Sequence, residues 1–239
     1  AERWWMRAAA FGCAAVLGHA VLISFSRGGM LGMIITGGIA FLLIRKRPWH
    51  YVALAAAVAA ALALSGPELR HRFMTMFAGE AERDPSAASR LQLWAACCDV
   101  MARMPVLGAG PDHWPTLSES YGFTPMKEAH TLWLQWGAEM GLPGLGFLVL
   151  YYGLCAARLW PLARRRDPAA DPWEGHMAAM VIASLAGFAV SAQFVSMKLL
   201  EPPYYIALVG AGTLKLASAR AAVSHAPSNP MLVPGSLVP

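Results

Sequence analysis

The chain has 239 residues, 57% of them hydrophobic and only 14% charged, with a mean hydropathy of +0.45. That leaves too little polar surface to clothe a soluble globule of this size, so lipid must serve as much of its solvent. The net charge of +5 is not a nucleic-acid footprint, which would need a clustered basic face with interleaved aromatic rings.

Apolar runs near the ~20 residues that cross a bilayer occupy 6–25, 30–44, 50–65, 143–162, 176–195 and 204–219. They predict an all-α membrane protein with about six transmembrane helices. Three lie in 1–65 and three in 143–220, on either side of a long polar loop over 66–142. The second and third runs are short and rich in Ala or Gly, so their ends are soft. No run is followed by a small-residue cleavage site and a soluble domain, which argues against a signal peptide. With no Met before Met6, the chain reads as part of a longer protein. The stretch 221–239, with Pro227, Pro230, Pro234 and Pro239, lacks periodicity and reads as a disordered tail.

Basic loops are retained in the cytoplasm, which sets the orientation. Arg45, Lys46 and Arg47 follow the second run, Arg158, Arg164, Arg165 and Arg166 follow the fourth, and Arg3, Arg7, Lys215 and Arg220 flank the two ends. These eleven bases meet four acids, Glu2, Asp167, Asp171 and Glu174, so that face carries +7 and the other −2. Both termini are then cytoplasmic and the loop is external, in a multi-pass membrane protein. Trp4, Trp5, Trp49, Trp160, Tyr204 and Tyr205 fall at run ends, where amphipathic rings favour the headgroup layer.

Cys13 and Cys155 lie inside runs, and the adjacent Cys97 and Cys98 cannot easily bridge each other, so no disulfide framework is expected. No His or Cys ladder has zinc spacing, and no Asp-x-Asp pair offers a metal for a nucleotide sugar. No metal or cofactor is expected.

Within the loop, 68–77 is a short segment and 79–89 an acidic, small-residue linker. Asp84 and Pro85 make a helix start, as cap and first helical residue. Leu91, Trp94, Cys98 and Met101 then recur at helical spacing, predicting an amphipathic helix on the membrane or on other spans. Pro105 ends it. Gly108, Gly110, Pro111 and Pro115 make an irregular loop, in which a Gly-x-Gly turn is first a plain turn and only second a phosphate cradle. A helix is expected again over 128–140, before Gly141, Pro143 and Gly144 break it.

Arg27, Arg90 and His130 have positions that packing alone explains poorly. Each has a plainer reading by itself: an interfacial Arg snorkelling to lipid phosphate, a solvated helix Arg, a helix-terminal His. Together, two guanidiniums and an imidazole at one membrane face suit a lipid-linked pyrophosphate. Arg binds phosphate oxygens bidentately, and His accepts a hydroxyl proton near neutral pH. Gly28 and Gly29, after Arg27, would let the backbone approach a ligand.

The runs Ser26-Arg27-Gly28-Gly29, Arg90-Leu91-Gln92-Leu93-Trp94, Pro105-Val106-Leu107-Gly108-Ala109-Gly110 and Ala129-His130-Thr131-Leu132-Trp133-Leu134-Gln135, with Glu139-Met140-Gly141, resemble the O-antigen ligase family in order and spacing. The resemblance covers roughly 20–215, the C-terminal half of a family whose members have about twice as many spans. It implies a GT-C-like glycosyltransferase that is metal-independent and inverting. Such an enzyme moves a glycan from undecaprenyl pyrophosphate to an acceptor at the periplasmic face, the acceptor being lipid A-core, a lipid-linked glycan or a protein. By motif, Arg27 and Arg90 would hold the pyrophosphate and His130 would activate the acceptor hydroxyl. Glu139 and Glu201 are secondary substrate-binding candidates, each with a structural alternative at a helix break or a turn. Most relatives have Asn or Ser after the His, where this chain has Thr131. Gln193, inside a run, should face protein. The loop as a whole reads as a lid over the site.

The sibling reading is a polymerase with a second lipid-linked repeat as acceptor. From other classes, a transporter would need charged or broken helices at the midplane of several spans, and these spans are mostly Ala, Leu, Val and Gly; a structural membrane subunit is the third alternative.

Overall fold

The computed structural model describes residues 4–64, 85–165, 172–196 and 201–224. Every apolar run folds as helix: α1 (Trp4–Ile23), α2 (Arg27–Leu43), α3 (Pro48–Leu64), α6 (Leu132–Ala163), α7 (Pro172–Ser191) and α8 (Pro202–Ser224). Between α3 and α6 lie α4 (Pro85–Arg103) and the single turn α5 (Trp114–Leu117), which runs on into a 3-10 turn at Ser118–Tyr121. No strand occurs among the described residues. Among the described residues, three helices are long and apolar enough to cross a membrane: Trp4–Ile23, Leu132–Ala163 and Trp173–Ser191. Arg27–Leu43 and Pro48–Ala63 are shorter apolar helices, and α8, which carries Lys215 and Arg220, falls in neither group. The expected linker at 79–89 lies mostly outside the described residues, as do the segment at 68–77 and nearly all of the tail.

α1 and α3 bury almost none of their side chains; Phe11 and Leu17 are 65% and 67% exposed. Such surfaces would be costly in water and cost nothing in lipid. The packed bundle is instead α2, α6, α7 and α8, with Leu148, Tyr152, Leu159, Ala178, Val181, Ile182 and Leu185 in its core. α2 and α7 approach through small residues. A methyl added at Gly32 would sit 3.1 Å from the Gly187 carbonyl oxygen, and one at Gly187 would sit 3.0 Å from that of Gly32. Small residues let helix backbones meet, so dispersion and backbone contact hold α2 on α7.

α2 begins three residues before the run at 30–44, because Ser26 caps it: its hydroxyl oxygen accepts the Gly29 N–H at 3.1 Å. Arg27 is therefore the first residue of α2. The glycine that follows serves packing rather than a ligand, since a methyl at Gly28 would lie 2.8 Å from the Phe194 Cβ. α7 ends at Ser191, four residues before its run ends, so Gln193 lies in the turn after the helix instead of inside a span.

The break expected at 141–144 is present: Gly141 interrupts α6 with non-helical backbone, so two helical segments meet there at a kink. The segment after the kink, through Ala163, is about 33 Å long at helical rise, close to a hydrocarbon layer of about 30 Å. The kink separates the first nine residues of α6 from the remainder. Gly141 takes φ 71, ψ 179, a conformation open to glycine and costly for other residues. Pro143 has no N–H for the Glu139 carbonyl, and the Leu142 N–H donates to the Pro105 carbonyl at 2.8 Å instead of to Ala138. The orphaned carbonyls of Ala138 and Glu139 are met by the N–H groups of Ala109 (2.8 Å) and Gly110 (2.9 Å). The Gly-x-Gly turn is thus a backbone latch on the α6 kink, and two of its N–H groups are spent there.

α4 packs on the first part of α6. Its buried face is Leu93, Ala96, Cys97 and Val100, sharing a core with Trp114, Ala129 and Ala138. This corrects the expected stripe: Met101 is buried, but Leu91 and Cys98 are exposed. The face is chosen by what α4 packs against, namely the latch, Trp114 and α6, rather than by a lipid surface. The loop carries its own core, so its described part is a platform fastened to α6. Outside that core, Asp99 accepts the Tyr121 hydroxyl at 2.7 Å and pairs with Arg103 at 2.8 Å, tying the 3-10 turn to α4.

Candidate active site

The site grows out of the start of α6. Thr131 is the N-cap of the helix, so His130 stands two residues before its first residue instead of in its first turn. His130 has φ 53, a left-handed backbone that a non-glycine residue adopts at a cost of about 1–3 kcal/mol. A chain of hydrogen bonds holds it there. The His130 N–H donates to Ser196 Oγ at 3.0 Å, and the Ser196 hydroxyl donates to Gln135 Oε1 at 2.8 Å. The same Oε1 accepts the Ala129 N–H at 3.1 Å, while Gln135 Nε2 donates to Glu139 Oε1 at 3.1 Å. Glu139 Oε2 accepts the Asp112 N–H at 3.2 Å. Gln135 and Glu139 are both buried, so the bonds they make satisfy groups that water does not reach.

His130 shares a cavity of about 160 Å³ with Arg90, Ser89, Leu93 and Lys127. Arg90 reaches it from the first half of α4. Burial holds the His130 imidazole below the usual histidine range; Arg90 and Lys127 push the same way, against the weaker pull of Glu128. A neutral imidazole beside two cations is equipped to take a proton while the cations meet an anion.

Arg27 does not line this cavity. It is joined to it through the turn at 191–196. The Ser191 hydroxyl donates to the Gly28 carbonyl at 3.4 Å, Phe194 packs on Gly28, and the Ala192 carbonyl accepts the Leu132 N–H at 2.8 Å. One turn therefore touches both the start of α2 and the start of α6. Glu139 lies inside the protein, beneath the cavity rather than in its wall. Glu201 is exposed before α8, accepting the Tyr205 hydroxyl at 2.6 Å, and is not among the residues lining the cavity.

Lys127, Gln135, Ser191 and Ser196 were not singled out by the sequence. Gln135 lies within the quoted His130 motif and could have been found from a burial pattern. Ser196 is 66 residues from His130 and leaves no local signal. Burial raises the Cys97 thiol far above its ordinary range, with Cys98 and Glu139 adding to the effect, so Cys97 stays an uncharged packing residue. No group of three or more His, Cys, Asp or Glu suited to a metal occurs among the described residues.

A family model described as O-antigen ligase matches residues 12–149, more than half of the chain. The match contains Arg27, Arg90, His130 and Glu139, and stops before the turn at 191–196 and Glu201. No curated protein matches the chain.

Proposed function

The chain belongs to the O-antigen ligase family, and from that premise we propose that it transfers a glycan from an undecaprenyl-pyrophosphate carrier to an acceptor hydroxyl at the periplasmic face of the inner membrane. One observation carries the reading: His130, kept neutral, opens into the same cavity as Arg90 and Lys127. His130 takes the acceptor's hydroxyl proton as its oxygen bonds to the anomeric carbon. The bond from that carbon to the pyrophosphate oxygen breaks, and its electron pair leaves with the carrier pyrophosphate. Arg90, with Arg27 across the 191–196 turn, meets the charge on that leaving group. A single displacement of this kind inverts the anomeric centre and calls for no metal.

Glu139 acts in this scheme through Gln135, fixing the start of α6, and Glu201 would contact substrate only from the α8 side. The charge partition supports six spans with both termini cytoplasmic, three in 1–65, three in 143–220, and the loop 66–142 on the periplasmic side with the site. Lipid A-core, a lipid-linked glycan and a protein are the acceptor classes.

The test is glycan transfer in membranes carrying the protein with His130→Ala. Transfer is expected to fall by about 10²–10⁴-fold, the usual worth of a positioned base. Undiminished transfer at equal protein level would overturn the role. Loss of attachment would identify a ligase, and loss of chain length alone a polymerase.

A further inference from the structure

The opposite end of α6 carries a second concave site. A cavity of about 260 Å³ opens between α6 and α8, lined on one side by Arg158, Pro161, Leu162 and Arg165 and on the other by Leu214, Ala217, Ser218 and Ala221. Its composition is divided. Two guanidiniums flank the end of α6, Arg158 in its last two turns and Arg165 just past its C-cap, and the remaining wall is apolar apart from the Ser218 hydroxyl, which donates to the Leu214 carbonyl. Among the described residues no acidic side chain lines it. The buried acid described nearby, Glu174 at the start of α7, already pairs with Arg220 at 3.0 Å. Arg164, between the two, turns away and lies over the Trp160 ring, 5.4 Å from its centroid. Trp160 is half-exposed, as a ring at a headgroup boundary would be.

We propose that this groove is a binding site for an anionic phospholipid, independent of the glycan site. The headgroup phosphate lies between Arg158 and Arg165, and an acyl chain runs along Leu162, Leu214, Ala217 and Ala221. Two guanidiniums and no acid select a headgroup without a compensating amine. The apolar wall continues from them along two helices that pack together in the bundle, so headgroup and tail are met by one surface. A lipid seated there would brace α8 against α6.

The test is native mass spectrometry of the full chain, delipidated in detergent and titrated with phosphatidylglycerol, phosphatidylcholine or inorganic phosphate. One phosphatidylglycerol is expected to remain bound, with phosphatidylcholine not retained and millimolar phosphate failing to displace it. At roughly fivefold per guanidinium, Arg158→Gln with Arg165→Gln should weaken retention about 25-fold, and Arg164→Gln should leave it unchanged. Ala217→Phe, which fills the apolar wall and keeps both charges, should also release the lipid. Retention by the double variant or by Ala217→Phe would overturn the site. So would equal loss in Arg164→Gln, which would indicate a diffuse basic belt, or displacement by phosphate, which would indicate an anion site without a tail groove.

Discussion

At His130 two kinds of constraint meet: a left-handed backbone secured from behind, and an imidazole whose charge is discouraged from in front. Because the neutral form must act, transfer should be flat above neutrality and decline as pH falls through a midpoint below the ordinary 6.5. Removing a cation from the cavity reverses one cause of that shift. In Arg90→Gln the acid limb of kcat/KM should therefore move to higher pH, alongside weaker donor binding. A pH profile of both proteins checks the sign, and an unmoved limb would mean that another group titrates. Behind the imidazole, Gln135→Leu would strip the Ala129 N–H and the Ser196 hydroxyl of their shared acceptor and one carboxylate oxygen of Glu139 of its amide donor. The expected cost is about 2–3 kcal/mol of stability, read as a lowered Tm. Because His130 then loses its anchor, a roughly hundredfold loss of kcat is expected with KM nearly unchanged.

Elements meet at several glycines, and the space around each separates those that matter from those that do not. Gly141 has φ 71, and a Cβ there would lie 2.8 Å from the Pro105 carbonyl oxygen. Gly141→Ala should straighten α6 or push off the latch, costing about 1–3 kcal/mol in thermal unfolding. Gly37 on α2 has nothing within 4 Å of the same added methyl, so Gly37→Ala should be neutral or stabilising by about 0.5–1 kcal/mol. Gly187→Leu belongs to the first kind. It would force α2 away from α7 and carry Arg27 with it, so transfer should fall even though residue 187 touches no substrate. The Asp99 tie behaves differently. The Tyr121 hydroxyl, and then Arg103, hold its carboxyl below the usual range. Its contribution to stability is therefore full above that range and fades as pH falls through the lowered value.

For the whole molecule, the topology proposed from charge would put the basic clusters at 45–47 and 158–166 on one side and the cavity on the other. The Glu174–Arg220 pair fits that arrangement, since it joins the start of α7 to the end of α8 at the predicted cytoplasmic end. A cysteine placed at Ser120, exposed on the 3-10 turn, should react with a membrane-impermeant maleimide from the periplasmic side. One placed at Ser218 should not. Reversed labelling would invert the topology and remove the site from the lipid-linked glycan it is proposed to use.

Hydropathy and charge alone determined that the chain is helical, that lipid is much of its solvent, and where its helices lie to within a few residues. Burial in lipid needs only a long apolar run, which is a local property. Motif order alone also brought out Arg27, Arg90 and His130. Local patterning anticipated the break at Gly141 and the turn at Gly108 and Gly110, but was blind to which face of α4 is buried and to what that turn latches onto, because each is chosen by a partner distant in sequence. The relay from Ser196 through Gln135 to Glu139 is of the same kind. Only the tertiary structure could join the turn after α7 to the histidine, since the physical requirement being met, a part-buried backbone N–H that must find an acceptor, says nothing about where along the chain that acceptor will be found.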